Sequence, residues 1–276
     1  MTVFALVSLL LLLLLLLCNS SAKTYRCSDV ADKSVPCVEV NACAGESDTY
    51  TVAVSTLSSG AGSSKAAAVV TMCHDDAGGV LRFTFTVSKQ LFFPTNGSYT
   101  SCNDNIFYQD VVESFITGPF ADITSSSSMD DSSIIHCYNE IDFNMFNNIY
   151  ASGIYNKNLN QTGCVNTLLG DCGSLDSRAK ISGDSWTVEF AMPYSLLNSP
   201  PGCPNPSSIA AAAAFGGSSS TRQNVYRGNF YRINELAPIG SAHCASSTCE
   251  YAAWSANYAS PASFHQPKYF GFILLV

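Results

Sequence analysis

Residues 254–276 read WSANYASPASFHQPKYFGFILLV, and our interpretation of the fold starts from this stretch. Trp254 is placed to anchor a turn, a polar loop with aromatic residues follows, and Pro267 ends that loop. The final run, 270–276, is apolar on both faces of an extended chain, which is typical of a central strand buried in a β-protein. The stretch therefore predicts an exposed aromatic loop that leads into a buried closing strand.

Earlier segments show the period of two that half-buried strands require. In 80–87, large apolar residues alternate with arginine and threonine. The segment 136–144 alternates in the same way and places Tyr138, Glu140 and Asp142 on one face. Further strands are predicted at 49–57, 66–73, 110–116, 179–181, 186–192 and 226–235.

Several of these segments, in this order, resemble the family 9 carbohydrate-binding modules. The shared motifs are Asp-x-Val-Glu-x-Phe-Ile at 110–116, Asn-Phe-x-Arg-Ile at 229–233, Ala-Trp-Ser at 253–255 and Pro-x-x-Phe-Gly at 267–271. The resemblance covers about 49–276 and is weakest across 149–172, which is rich in asparagine and irregular, and across an insertion at 198–224. It implies an all-β fold, an antiparallel β-sandwich of the immunoglobulin-like or jelly-roll-like kind with long disulfide-stapled loops.

The first 22 residues have the composition of a signal peptide. Residues 3–18 form a hydrophobic run interrupted only by Ser8, and 20–22 supply the small residues of a cleavage site. The run is short for a membrane span, which needs about 20 apolar residues, and a retained anchor is the alternative. We therefore predict a secreted, extracellular chain without membrane contact after cleavage. The predicted divisions are a signal peptide at 1–22, a cysteine-rich N-terminal extension at 23–48 and a carbohydrate-binding-like β-sandwich domain at 49–276.

Eleven of the twelve cysteines remain once Cys18 leaves with the signal peptide. None of them shows the Cys-x2-Cys pairs of a zinc ribbon, so disulfides are the better interpretation for an exported chain. Cys164 with Cys172, and Cys244 with Cys249, bracket short loops and are predicted local bridges. The cysteines of the N-terminal extension are expected to staple that segment onto the sandwich. The odd total leaves one thiol free or paired between chains.

The chain is acidic, with a net charge of −8, and it contains only 13 Lys and Arg. It therefore lacks the basic patch that nucleic-acid binding requires. Asn96 and Asn160 begin Asn-x-Ser/Thr sequons in loop-like segments and are predicted glycosylation sites. The sequence does not indicate an oligomeric state.

The resemblance implies a carbohydrate site built on two aromatic side chains. Sugar-binding members of the family clamp the sugar between such side chains, whose flat apolar faces suit the pyranose ring. The matching positions are Phe107, with Tyr108 beside it, and Phe264, with His265 beside it. Both phenylalanines are expected to project from the same end of the sandwich. The alternative is that both simply pack beneath their loops.

Carboxylates form the polar part of the predicted site. The family uses the Glu of its Asp-x-Val-Glu strand to bind sugar hydroxyls, which corresponds to Glu113 in this chain. Where the family presents an arginine to the ligand, this chain has Glu140, so a second carboxylate replaces a hydrogen-bond donor. Because hard oxygen ligands collect there, a calcium site using Asp110, Glu113, Glu140 and Asp142 is one expectation. Solvated or hydrogen-bonded carboxylates are the alternative.

Motifs for catalysis are absent from the sequence. It contains no Gly-x-Ser-x-Gly, no His-Glu-x-x-His and no phosphate loop, although Glu113 and Glu140 could meet the spacing of a glycosidase pair. Two other classes stay open: a structural or adhesive extracellular protein, and a haem-binding sandwich related to the DOMON-type cytochrome domains. Candidate axial ligands for haem are Met145 or Met192 with His136 or His265.

The sequence thus predicts a secreted, non-catalytic binding protein for a polysaccharide or other glycan, in carbohydrate catabolism or a cell-wall context. Phe107 and Phe264 would contact the sugar rings, and Glu113 and Tyr108 would contact the hydroxyls. No cofactor is required by this prediction, with calcium as the one candidate ion.

Overall fold

A computed structural model describes residues 25–43, 50–90, 92, 99, 101–120, 135–160, 162–203, 225–237, 244 and 247–276 of the chain. The predicted signal peptide at 1–22, the sequon at Asn96 and most of the predicted insertion at 198–224 lie outside these residues. Within them, no helix is long and apolar enough to cross a membrane.

The described residues are almost entirely β-structure. The strands are β1 (Cys37–Val40), β2 (Tyr50–Leu57), β3 (Ser63–Asp75), β4 (Val80–Val87), β5 (Val111–Thr117), β6 (Cys137–Phe143), β7 (Ile149–Asn156), β8 (Cys164–Leu168), β9 (Ser177–Ser182), β10 (Ser185–Pro193), β11 (Val225–Glu235), β12 (Cys249–Ala253) and β13 (Gly271–Leu275). One short α-helix, α1 (Tyr194–Asn198), follows β10 directly. Short 3₁₀ helices lie at Cys27–Asp29, Ile106–Tyr108, Cys172–Leu175 and Pro267–Tyr269.

The strands join in one curled sheet. Its order is β8-β7-β6-β5-β11-β12-β2-β3-β4-β10-β9, and β13 pairs with both β1 and β11. Every pairing is antiparallel except that of β1 with β13. The long strand β11 pairs with β13 through 225–228 and with β12 through 231–235, and β12 then pairs with β2. Through β11 and β12 the sheet therefore curls over and forms two packed layers. The predicted all-β antiparallel class with disulfide-bonded loops is confirmed.

The main hydrophobic core lies between the two layers. Val54, Phe85 and Phe190 come from the layer of β2, β3, β4 and β10, and Ile141 and Phe230 come from the layer of β5, β6 and β11. Phe85 meets Phe230 edge to face, with ring centroids 5.9 Å apart. The alternation predicted for 80–87 is observed, because its apolar residues are the ones buried in this core.

The closing strand occupies a central position, as predicted. All five residues of β13 are buried, and the strand lies between β1 and β11. Ile273 and Leu275 face the main core, whereas Phe272 and Leu274 face a separate cluster on the other side. β1, which comes from the predicted N-terminal extension, thus belongs to the sheet and contributes Val38 to the main core.

The prediction of irregular structure at 149–172 is wrong, because β7 and β8 lie there. β7 takes its register from β6, with which it pairs along its whole length. At Gly153 the strand passes so close to the loop after α1 that a Cβ atom would clash with the carbonyl oxygen of Pro201. β8 is a largely exposed edge strand, so it lacks the apolar alternation that would have marked it in the sequence.

Five disulfides connect the described cysteines: Cys27–Cys37, Cys43–Cys73, Cys102–Cys172, Cys137–Cys203 and Cys244–Cys249. The local bridge Cys244–Cys249 is confirmed, and Cys43 ties the N-terminal segment to β3 as expected. The predicted bridge from Cys164 to Cys172 is wrong. Cys164 begins β8 and is paired opposite Asn156, whereas Cys172 lies in a 3₁₀ helix beside the loop that carries Cys102.

Among the cysteines that the structure describes, alkylation of the native, unreduced protein is expected to label Cys164 alone. It is partly buried, and burial raises the pKa of its thiol, so labelling at neutral pH should be slow and should accelerate in denaturant. Peptide mapping by mass spectrometry without reduction checks this result and should recover the Cys102–Cys172 linkage. Recovery of a peptide pair that joins Cys164 to Cys172 would contradict it.

Asn160 occupies the turn between β7 and β8 and is exposed. Its side-chain oxygen accepts hydrogen bonds from the backbone nitrogen of Thr162, at 2.8 Å, and from the Thr162 hydroxyl, at 2.7 Å. The position is open to a glycosyltransferase, and glycosylation there stays a prediction.

Candidate functional site

The outer face of the layer formed by β7, β6, β5 and β11 carries a second cluster of buried side chains. Because successive residues of a strand point to opposite faces, Val112 and Ile116 enter the main core while Phe115 points outwards. Tyr138 of β6 and Tyr231 of β11 lie on the same outer face. The loops that precede β5 and β13 cover this cluster.

These loops border a half-open cavity of about 340 Å³ against the sheet. This volume lies within the range of small-molecule sites, about 300–1,000 Å³. The cavity is lined by Phe107, Tyr108, Glu113, Phe115, Glu140, Tyr150, Asn166, Ile233, Cys244, Tyr251, Ala262, Ser263, Phe264 and His265. All five residues that the sequence analysis assigns to carbohydrate binding are among them.

The first predicted aromatic pair lies in the 3₁₀ helix that precedes β5. Ile106 is fully buried and anchors this helix, which leaves Phe107 half-buried at the cavity. The Phe107 ring meets Tyr150 edge to face at 5.0 Å and lies 4.7 Å from the Tyr108 ring. The backbone nitrogen of Cys244 donates to the carbonyl of Tyr108 at 2.9 Å. Neighbouring rings and the disulfide-bonded loop thus hold Phe107 in place.

The second predicted aromatic residue is more deeply packed. Phe264 is 8% exposed and stacks on Tyr231, with ring centroids 3.9 Å apart and planes 10° apart. The Tyr231 hydroxyl donates to the Phe264 carbonyl at 3.0 Å. One face of the Phe264 ring therefore packs beneath its loop, although the residue still lines the cavity. Phe107 and Phe264 line the same cavity, which lies over the outer face of this layer.

His265 is held in its neutral form. Its Nδ1 lies 2.8 Å from the Tyr138 hydroxyl, whose oxygen also accepts from the side-chain amide of Asn156 at 3.2 Å. The Tyr138 oxygen accepts a hydrogen bond from Asn156, so its own hydroxyl proton can be donated to Nδ1 of His265. In that arrangement Nδ1 is the acceptor, and the proton of the neutral imidazole is on Nε2. Desolvation lowers the pKa of His265 to about 4. The side chain therefore carries no positive charge at neutral pH.

Three carboxylates lie side by side at the floor of the cavity. Glu113 of β5 is directly opposite Asp142 of β6, and Glu140 lies two residues before Asp142 on the same face. One oxygen from each of the three lies within 4.8 Å of the others, and all three side chains are buried. Both Asp142 oxygens, Oε1 of Glu113 and Oε2 of Glu140 accept no hydrogen bond from any residue that the structure describes.

This burial changes the protonation of the carboxylates. Desolvation, followed by the charge of Glu140, raises the pKa of Glu113 well above its usual range. Desolvation raises the pKa of Glu140 to about 8. For Asp142, desolvation and the charges of the two glutamates act together to raise the pKa strongly. In the absence of a cation, burial thus favours the protonated form of all three groups, and Glu140 holds its proton at neutral pH.

Asp110 does not belong to this cluster, so its assignment to the predicted calcium site is wrong. It lies on the inner side of the layer, where its Oδ1 is 2.6 Å from a guanidinium nitrogen of Arg232 and both side chains are fully buried. Its Oδ2 accepts from the side-chain amide of Gln90 at 2.8 Å. Asp110 and Glu113 are three residues apart, and residues an odd number apart along an extended chain point to opposite faces. The sheet itself therefore lies between Asp110 and the other carboxylates.

The predicted haem ligands do not meet. Met145 and Met192 are buried in the main core between the layers. His265 lies on the opposite face of the same layer, against Tyr138. The Nδ1 atom of His136 is 2.7 Å from the carbonyl of Asn156. The described residues therefore offer no paired methionine and histidine facing one cavity.

No family model matches the chain, and no curated protein matches it in sequence. Among solved structures, the crystal structure of a proposed carbohydrate-binding protein from Bacteroides uniformis ATCC 8492 is similar to it, with a TM-score of 0.55 and 13% sequence identity. The similarity covers 87% of this chain and 99% of that one. At this identity the similarity shows a common fold, and membership of family 9 stays a prediction.

Sequence reasoning did not assign Phe115, Tyr150, Asn166 or Tyr251 to the cavity. Phe115 had a detectable signal, because it lies two residues after Glu113 in the same predicted strand. Tyr150 and Asn166 lie on β7 and β8, whose pairing was not foreseen, and the Asn166 amide donates to the Tyr150 hydroxyl at 3.1 Å. Tyr251 reaches the cavity from β12. Their convergence depends on strand order, which no local pattern encodes.

Proposed function

We propose that this chain is an extracellular, non-catalytic carbohydrate-binding protein of the family 9 type, which holds a sugar unit of a polysaccharide or glycan in the cavity. The observation that carries the proposal is that several aromatic rings and the carboxyl groups of Glu113 and Glu140 line one cavity. Ring faces suit the C–H surface of a pyranose, and carboxylate oxygens accept hydrogen bonds from its hydroxyls.

Two observations add weaker support. The fold is similar to that of the proposed carbohydrate-binding protein from Bacteroides uniformis. Five disulfides in one chain suit an oxidising, extracellular compartment. Together they favour a secreted binding protein over an intracellular one.

The placement of the carboxylates favours binding over hydrolysis. Glu113 and Glu140 lie on neighbouring strands of one floor, side by side. In glycosidases the two carboxyl groups flank the scissile bond, one as acid and the other as nucleophile or base. Both groups here would approach a sugar from the same side, so they can orient hydroxyls but do not bracket a glycosidic bond.

Phe107→Ala is expected to weaken glycan binding about 10-fold, which corresponds to about 1.4 kcal/mol. Phe107 is half-buried, so its removal should leave the fold intact. The matched control is Phe146→Ala, because Phe146 is 44% exposed in the β6–β7 turn and does not line the cavity. Phe264 is a poorer probe, since truncating a buried phenylalanine costs about 3–5 kcal/mol of stability.

The measurement starts with a glycan array and retention on insoluble polysaccharides, with calcium present. The captured glycan is then titrated against both variants by calorimetry. Equal affinities for Phe107→Ala and Phe146→Ala would contradict the placement of the sugar in this cavity. Failure of the wild-type chain to bind any glycan would contradict the proposed function itself.

A further inference from the structure

The carboxylates at the cavity floor point to a ligand of their own. We propose that Glu113, Glu140 and Asp142 bind a single divalent cation, calcium in preference to magnesium, at the base of the cavity. The site keeps three of the four carboxylates expected from the sequence and leaves out Asp110, which is paired with Arg232 instead. Cation binding does not require that the proposed carbohydrate function be correct.

The backbone fixes the geometry of the three ligands. Glu113 and Asp142 are cross-strand neighbours, and Glu140 and Asp142 are alternate residues of β6, so all three project from the same patch of sheet. Their nearest oxygens lie within 4.8 Å of one another. Calcium–oxygen bonds are about 2.3–2.6 Å long, so oxygens on opposite sides of one ion are about 5 Å apart. The three carboxylates therefore fit around one calcium ion without movement of the strands.

The second observation is that these oxygens have no protein partner. Four carboxylate oxygens of the cluster are buried and accept no hydrogen bond among the described residues. Asp110, which is equally buried, has the Arg232 guanidinium 2.6 Å away. A buried carboxylate is costly unless it is paired or coordinates a metal ion. Asp110 thus has a cationic partner, whereas no described residue provides one to Glu113, Glu140 and Asp142.

The side chains around the cluster cannot supply that counter-ion. The strand neighbours of the carboxylates are Phe115 on β5, Tyr150 and Ser152 on β7 and Tyr231 on β11, all of which are uncharged. The covering loop contributes His265, which is neutral at neutral pH. Among the described residues that line the cavity there is no lysine or arginine.

The donor set selects the kind of cation. It consists only of carboxylate oxygens, which suit hard cations such as calcium and magnesium. Magnesium requires near-octahedral geometry at about 2.0–2.1 Å and usually keeps several water molecules. Calcium accepts 6–8 oxygens in flexible geometry, so the three carboxylates can bind it from the positions that the strands give them. Calcium therefore fits this site better.

The position of the site connects it to the proposed function. Glu113 and Glu140 line the cavity, whereas Asp142 lies beneath it. A cation held by all three would direct its remaining coordination positions toward the cavity, where sugar hydroxyl oxygens could occupy them. This step rests on the proposed function, and cation binding itself does not.

The test is calorimetric titration of calcium chloride into the secreted, chelator-treated wild-type chain, with magnesium chloride in parallel. One calcium ion is expected to bind per chain, at least 10-fold more tightly than magnesium, and to raise the melting temperature. Asp142→Asn keeps the shape of the side chain and relieves charge repulsion, so this variant should fold and bind calcium at least 10-fold more weakly. Glu189→Gln is the control, since Glu189 is an exposed carboxylate of β10.

Absence of both calcium heat and a rise in melting temperature in the wild-type chain would overturn the site. Calcium binding that survives unchanged in Asp142→Asn would also overturn it, and magnesium binding as tight as calcium would overturn the preference. The proposed function is tested separately. If the chain binds calcium but no glycan, the calcium site is supported and the proposed carbohydrate function is contradicted. If the chain binds glycan in the presence of chelator and gives no heat with calcium, the carbohydrate function is supported and the calcium site is contradicted.

Discussion

In the presence of a chelator, raising the pH from about 6.5 to about 8.5 is expected to lower the free energy of unfolding by about 2 kcal/mol or more. The cause is the buried carboxylate cluster of Glu113, Glu140 and Asp142. Each of these groups has a higher pKa in the folded chain than in the unfolded chain, and that of Glu140 is raised to about 8. Folding therefore retains protons that the unfolded chain has already released.

The sign of the effect follows from proton linkage. A carboxyl group whose folded pKa is raised contributes stability in full below its unfolded pKa, about 4. That contribution is lost as the pH rises through the folded pKa. Burial also raises the pKa of Glu235 to about 7, and this adds to the loss in the lower part of the window. The lowered pKa of His265 has the opposite effect, since it makes the free energy of unfolding rise with pH. That rise is complete above about pH 6.5, the pKa of an unfolded histidine, and so it lies below this window.

Chemical denaturation at several pH values checks this expectation. The triple variant Glu113→Gln, Glu140→Gln and Asp142→Asn should lose most of the slope and keep only the part that Glu235 contributes. At pH 8.5 this variant should be more stable than the chelator-treated wild-type chain, because it buries no carboxylate charge at the cavity floor. A wild-type stability that stays level or rises across this window would contradict the burial of three unpaired carboxylates.

The fold was predictable where one face of a strand is apolar. The segment 80–87 and the run at 270–276 were both identified, because burial of one or both faces leaves a periodic or continuous apolar pattern. The same logic placed Glu140 and Asp142 on one face of β6, which the structure confirms. β8 is exposed on both faces, so its sequence has no such pattern and the segment that contains it was misjudged.

The pairing of cysteines and the composition of the site depend on long-range contacts. Cys102 and Cys172 are 70 residues apart in sequence. They meet because the segments that contain them both pack against Ile149, at the start of β7. Cysteine connectivity cannot be deduced from spacing alone. Tyr251 likewise reaches the cavity only through the pairing of β12 with β11. Local pattern supplied the candidate aromatic and carboxylate positions, and topology determined which of them share a cavity.

Asp110→Asn is expected to destabilise the protein by about 3–5 kcal/mol, the usual cost of breaking a buried ion pair from one side. The pair formed with Arg232 is fully buried, so the substitution leaves a guanidinium in the protein interior without its ion-pair partner. An asparagine can still accept from Gln90 through its oxygen, but its amide would then face the guanidinium donor to donor. Arg232 would keep its bond to the carbonyl of Val111, at 2.9 Å, but would lose the carboxylate that contacts it directly.

Two further variants separate the loss of charge from the loss of shape. Glu189→Gln removes one partner of the Arg178–Glu189 pair, whose side chains are 80% and 44% exposed, and should cost less than about 1 kcal/mol. Combining Asp110→Asn with Arg232→Met removes the stranded cation and should recover part of the loss, because an apolar side chain of similar length needs no counter-ion. Urea denaturation with the disulfides intact measures all three variants. If Asp110→Asn cost no more than Glu189→Gln, the inner face of this layer would have to admit water, which the full burial of both side chains argues against.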